Sequence, residues 1–326
     1  MQAAACGAYN SITEADIDGD GKLDVIALGL EGISVFRGNG DGTLQSCRKL
    51  DSAPTSHIIA KDFDGDGNID LIAAVLYSTE LRLLRGTGGG TFAPPVVIPL
   101  PDTFLAWALG DANGDSIPDL LVATSHIAVA TLIVFRGSRD GPFTLGSSMS
   151  LGMSTVAASA RWNLVFSNDP DGKPRLLVLD GSTIEILIGD GHGGFAKIAK
   201  DDHGFFYEEV FADFNRDGYM DMAGIIQTKP FIAFGTESGL RLLPFPGPFP
   251  AIELRLATAD VNDDGFPDVI GVSSGLTVVM LNQKDGTFGS PSAYFTSLSS
   301  VLVGDFTGDG IADLVVGGGA AGVPVL

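Results

Sequence analysis

DIDGDGKLD, residues 16–24, decides the fold. Asp16, Asp18, Asp20 and Asp24 fall at its positions 1, 3, 5 and 9, and Gly19 and Gly21 let the backbone curl so that these carboxylates converge. The same nine-residue pattern returns as DFDGDGNID at 62–70, DANGDSIPD at 111–119, DFNRDGYMD at 213–221, DVNDDGFPD at 260–268 and DFTGDGIAD at 305–313. The starts are 46, 49, 102, 47 and 45 residues apart. The interval of 102 is two periods, and SNDPDGKPR at 167–175 is a degenerate copy inside it, which makes seven units.

Working outward from the loop, each unit has a short apolar strand before it and a second after it, such as LDVIALGL or IDLIAAVL. A third strand such as ISVF leads into a Gly-rich turn, seen as GNGDGT after Arg37, GTGGGT after Arg85 and NQKDGT after Leu281. Gly and Asp in such turns supply the positive φ that hairpins need. Four strands per unit at this period is the signature of propeller blades. The sequence therefore predicts an all-β fold, one seven-bladed β-propeller of four-stranded blades over 1–326, with loops starting near 16, 62, 111, 167, 213, 260 and 305. The seventh unit shows no Gly-rich turn after its third strand, and residues near Gln2 to Gly7 are expected to supply the missing strand and close the ring.

Composition agrees. Hydrophobic residues make up 45% of the 326 and charged residues 18%, with 44 Gly and 17 Pro, a balance that suits short strands and tight turns. The net charge of −21 is concentrated in the acidic loops. A chain without a basic track is a poor partner for nucleic acid. No apolar run is long enough to span a membrane, and the opening MQAAACGAYN lacks the charged and apolar regions of a signal peptide. Cys6 and Cys47 allow one disulfide without demanding it.

Converging oxygens are what Ca²⁺ takes, six to eight at a time. The expected ligand sets are Asp16, Asp18, Asp20 and Asp24; Asp62, Asp64, Asp66 and Asp70; Asp111, Asn113, Asp115 and Asp119; Asp213, Asn215, Asp217 and Asp221; Asp260, Asn262, Asp264 and Asp268; and Asp305, Thr307, Asp309 and Asp313. Six Ca²⁺ ions would bring about +12, leaving roughly −9. An EF-hand is the competing reading, but it needs a bidentate Glu at position 12, where the first loop has Ala27 inside a strand-like run. The fourth copy is expected to hold no metal, because Ser167 and Arg175 replace its first and last carboxylates; Arg175 is placed to reach Asp169 or Asp171 as an internal cation. Recurrence in nearly every unit reads as calcium stapling each inner hairpin rather than regulating a ligand.

These loops, at this period and followed by the Gly-rich turn, resemble the FG-GAP and VCBS repeats of integrin α heads, of secreted bacterial proteins and of a fungal lectin from Psathyrella. The resemblance covers essentially the whole chain. It implies calcium, a secreted or extracellular setting, and adhesion, glycan binding or protein docking. Six competent-looking loops, with no leg segment following, are closer to the free-standing lectin-like form than to integrins.

The functional expectation is a carbohydrate-binding, lectin-like module, with a docking or adhesion module of a surface protein as the alternative and a polysaccharide lyase as the least supported. DDHGFFY, from Asp201 to Tyr207, combines acceptors, an imidazole and aromatics, the mixture that grips sugar rings. Trp162 aligns with Ser11, His57, Ala106, Glu208, Arg255 and Ser300 as a ring around the central channel. His203, Tyr207 and Trp162 are thus the candidate ligand residues, against the plainer reading of aromatic packing and channel filling. A GxGxxG at Gly189, Gly191 and Gly194 precedes a strand-like segment rather than a helix and is no dinucleotide site. The four histidines lie in different units, with no spacing for a zinc cluster or a Ser/His/Asp triad, so no enzyme is expected.

Overall fold

The computed structural model describes residues 7, 9, 11–126, 129–139, 141–154, 162–202, 206–226, 229–245, 255–273, 276–294, 300–307 and 313–317. Among them every regular element is a strand. In the first blade, Ser11–Ala15, Asp24–Gly29, Gly32–Phe36 and Arg48–Asp51 pair in order as an antiparallel meander. The register runs Ser11 against Leu28 and Val25 against Phe36, so the acidic loop joins the innermost strand to the second.

Five further four-stranded meanders follow, spanning 55–99, 103–154, 163–202, 206–244 and 255–294. The seventh unit contributes a two-stranded sheet, Ser300–Gly304 with Asp313–Gly317. The expectation of seven four-stranded blades is therefore corrected: six blades have four strands, because described pairing in the seventh repeat stops at Gly317, before any outer hairpin. The strand predicted from Gln2 to Gly7 falls almost wholly outside the described residues.

The second strand of each four-stranded blade is buried on both faces, as in Asp24–Gly29 and Pro174–Leu179, because blades sandwich it from either side. Hence these strands read as continuous apolar runs rather than alternating ones. The core is a series of seams between neighbours. Ile26, Ile33 and Val35 of the first blade meet Leu71, Ala73 and Leu84 of the second. Leu121, Leu132 and Leu151 of the third meet Leu164, Leu176 and Leu187 of the fourth.

One hydrogen bond recurs across these seams. The turn of one blade donates to the carbonyl at loop position 2 of the blade before it: Gly193 N to Ala112 O at 2.9 Å, and Asn282 Nδ2 to Phe214 O at 2.8 Å. Gly42 N makes the same contact with Phe306 O at 3.3 Å, joining the first blade to the seventh unit. Phe306 is buried with Val25, Ala27 and Phe36. The first blade meets the seventh unit through a contact of the kind that joins the third blade to the fourth and the fifth to the sixth.

Cys47 is disulfide-bonded, and the only other cysteine in the sequence is Cys6. The covalent bridge that the sequence left open is present.

Candidate functional site

The acidic loops and Gly-rich turns share one face of the disc, since both connect strands at the same end of each blade. Within a loop the backbone is tied down by its own carboxylates. Asp16 Oδ1 accepts from Gly19 N at 2.8 Å and Asp20 N at 3.1 Å, and its Oδ2 accepts from Gly21 N at 2.9 Å. Gly19 and Gly21 sit at φ of 74° and 83°, the left-handed conformation that this curl requires. The equivalent position-6 bonds reach Asp62, Asp111, Asp213 and Asp260 at 2.9, 2.7, 2.8 and 2.6 Å.

Position 9 behaves differently. Asp24 Oδ2 accepts from Ile17 N at 3.1 Å, while its Oδ1 accepts from Gly38 N at the start of the Gly-rich turn, 2.9 Å away. Asp70, Asp119, Asp221 and Asp268 repeat both bonds. In these five blades one buried carboxylate therefore fastens the loop to the turn.

Burial raises the pKa of all five, with repulsion from the other carboxylates of the same loop adding to it and the backbone bonds opposing it. Asp24 is pushed up to about 6 and Asp221 to about 7. In the first two loops the carboxylates at positions 1, 3 and 9 come together, with one oxygen each from Asp16, Asp18 and Asp24 within 4.8 Å of one another, and likewise from Asp62, Asp64 and Asp70. Asp20 and Asp66, predicted as ligands, stand outside these groups, and their Oδ1 atoms cap the amides of Lys22 and Asn68.

In the loops with Asn at position 3, Asn113 donates to Asp119 Oδ1 at 3.3 Å, Asn215 to Asp217 Oδ2 at 3.0 Å and Asn262 to Asp264 Oδ2 at 3.3 Å. Asp111, Asp115, Asp213 and Asp260 hold their predicted loop places. In the seventh loop Asp305 and Thr307 are described, Asp309 is outside the described residues, and only the backbone of Asp313 is placed. An all-oxygen set gathered around excess buried negative charge fits a hard divalent cation.

The fourth loop is built on a cation of its own. Arg175 Nε lies 2.5 Å from Asp169 Oδ1 and Nη2 lies 2.8 Å from Oδ2, a bidentate pair whose side chains are 2% and 5% exposed. Of the two partners expected from sequence, the guanidinium takes Asp169, while Asp171 pairs with Lys173.

A concave site lies elsewhere. Between the outer strand of the first blade and the turn of the second is a cleft of about 460 Å³, lined by Arg48, Lys49, Asp51, Phe92, Pro94 and Pro95 among others. No sequence motif marks it, because its walls come from two repeats.

Of the predicted ligand residues, only Trp162 has its side chain described. Trp162 is half-buried against the core between the third and fourth blades. His203 lies outside the described residues, and only the backbone of Tyr207 is placed, in the strand Phe206–Ala212. In the channel ring, His57 packs on Phe104 and Trp107 at 5.4 and 6.4 Å between ring centroids, and Arg255 pairs with Glu208 at 3.0 Å.

FG-GAP-like repeats match at residues 62–122 and 260–316. No curated protein matches the sequence. Among solved structures, an Agrocybe aegerita lectin, described as recognising non-reducing terminal N-acetylglucosamine, is 18% identical with a TM-score of 0.65, over 87% of this chain and 79% of that one. BBS1N, solved in complex with ARL6DN, is 13% identical with a TM-score of 0.67, over 98% and 92%. Rhamnogalacturonan lyase YesW is 13% identical with a TM-score of 0.56, over 97% and 71%. At these identities the likeness is one of fold. The chain is a β-propeller that carries FG-GAP-like repeats.

Proposed function

We propose that this protein is a secreted, calcium-loaded propeller that binds carbohydrate without turning it over, and that the cleft between its first two blades takes the sugar. The cleft carries the reading. Its volume of about 460 Å³ suits one or two sugar rings, Phe92 and the two prolines offer an apolar wall, and Arg48, Lys49 and Asp51 offer polar groups for hydroxyls. The Agrocybe aegerita lectin, with its terminal N-acetylglucosamine, supports a sugar as the ligand class.

Calcium would supply charge balance rather than chemistry. Asp16, Asp18 and Asp24, and Asp62, Asp64 and Asp70, would hold it, and Asp111, Asp119, Asp213, Asp221, Asp260, Asp268, Asp305 and Asp313 would do so in the other loops. Such loops fix the turns, and the turn of the second blade forms one wall of the cleft.

A glycan array probed with the labelled, folded protein in millimolar calcium tests the reading. Binding to defined sugars, lost in the Phe92→Ala variant, is the expected result, and silence across the array would overturn it. A docking module is the second reading, favoured by the protein complex in which BBS1N was solved. A binding partner isolated without any glycan requirement would favour it instead.

A further inference from the structure

The cleft is positively charged in a molecule of net charge −21. Its one carboxylate, Asp51, is already engaged: Arg82 Nη1 lies 3.4 and 3.2 Å from its two oxygens, and Ala53 N donates to it at 3.1 Å. Arg48 spends one Nη2 donor on Gly90 O and keeps its remaining donors. Lys49 is exposed and makes no ion pair or hydrogen bond among the described residues. Arg48 thus brings spare donors toward the second blade, across a concavity with a ring and two prolines on its other side, while Lys49, its neighbour along the strand, projects to the opposite face.

From this juxtaposition we infer that the cleft selects sugars that carry a carboxylate, with Arg48 receiving the anion and Phe92 the C–H face of the ring. The inference rests on the carbohydrate reading and narrows it to hexuronate-bearing glycans. A carboxylate can accept two guanidinium donors side by side, a geometry that a neutral hydroxymethyl group at the same carbon cannot match.

The test is a pair of calorimetric titrations at low salt, with a glucuronate-containing oligosaccharide and with its carboxyl-reduced neutral counterpart. The acidic form should bind at least tenfold tighter, an advantage that shrinks as salt rises. Arg48→Gln, at an exposed position, should erase that difference while the melting temperature stays put, and Lys49→Ala should leave it in place. Equal affinity for the two forms would overturn the inference and leave the carbohydrate reading standing, as would a preference that survives Arg48→Gln. Binding of neither form, together with a silent array, would remove both.

A second inference comes from the fourth loop. Arg175 reaches beyond its own loop: Nη1 donates to Thr236 O at 3.0 Å and Nη2 to Glu237 O at 3.1 Å, both in the turn of the fifth blade. Its guanidinium carbon also lies 5.2 Å from the centre of the Tyr219 ring. Arg37 links Asp18, at 2.9 Å, to Gly89 O of the next blade, at 2.5 Å, and Arg85 links Asp64 to Gly141 O in the same way. All three clamps run from the position-3 carboxylate of one loop to the following turn.

The geometry points to Arg175 as a built-in substitute for the metal, making the seam between the fourth and fifth blades independent of calcium. Hydrogen exchange should show amides at 167–175 and 235–239 equally protected with and without chelator, while those at 16–24 and 62–70 lose protection. Native mass spectrometry of the Ser167→Asp, Arg175→Asp double variant should count one more calcium than the parent. Chelator-induced exposure of 167–175 in the parent would overturn the assignment, as would an unchanged count in a folded double variant.

Discussion

Lys197 Nζ lies 2.5 Å from Glu185 Oε1 and 3.0 Å from Leu151 O, so one ammonium binds a fully buried carboxylate in its own blade and a carbonyl of the blade before it. Glu185 Oε2 has no partner. Lys197→Met strands the carboxylate and should cost about 2–3 kcal/mol, somewhat less than a fully buried pair because the lysine is itself 35% exposed. The Glu185→Leu, Lys197→Met double variant should recover most of that loss. Urea denaturation of the three proteins measures it, and a double variant no better than the single would contradict this account.

Ser116 stands at position 6 of the third loop with φ of 65°, where the other loops use Gly21, Gly67, Gly218 and Gly265. A residue with a Cβ pays for the left-handed conformation, and the serine hydroxyl plays no part in the amide bond to Asp111. Ser116→Gly should stabilise the protein by about 0.5–1 kcal/mol, net of the extra chain entropy. A lower melting temperature would show that the hydroxyl does something else.

Calcium removal is the third test. An ion present at a hundredfold excess over its dissociation constant adds about 2.7 kcal/mol per independent site. Scanning calorimetry should show a large downward shift of the melting temperature in chelator. An identical melt in calcium and in chelator would contradict metal binding by the loops.

In the calcium-free protein His57 opposes the five raised aspartates of the loops, whose protonation favours the folded state as the pH falls. Packing against Phe104 and Trp107 strips enough water from its imidazole to hold it below the ordinary value of 6.5, although the residue keeps an exposed edge. The unfolded chain therefore binds that proton more readily than the folded one, and this group's contribution to stability falls as the pH drops through 6.5 toward the folded value. The parent should therefore lose stability relative to His57→Phe between pH 7 and 5. An unchanged slope would assign the acid sensitivity to other groups.

The blades were legible because their signal is repetition: six acidic loops in register fix where strands begin, and the apolar runs after them fix which strands are buried. Arg175 was legible for the same reason, since a cation at a position that elsewhere carries Asp marks its own partner. Two things were not. The structural task of the position-9 aspartates depends on the amide of Gly38 and its equivalents, which meet them only after the third strand has folded back. The cleft pairs Arg48 with Phe92, residues of different repeats on outer strands and turns where composition varies freely. Trp162, expected in the channel ring, packs partly buried against the core between the third and fourth blades.

Ring closure has a kinetic consequence. Within each blade, every partner is a near neighbour along the chain, so the meanders can form early and independently, with little entropy lost to loop closure. The contact from Gly42 to Phe306 spans nearly the whole chain. It must wait until the last repeat exists. A ribosome-bound chain would therefore carry a growing row of finished blades whose first seam face, around Val25 and Phe36, stays bare until the seventh repeat has emerged. That face is where a nascent chain of this kind would be most prone to aggregate.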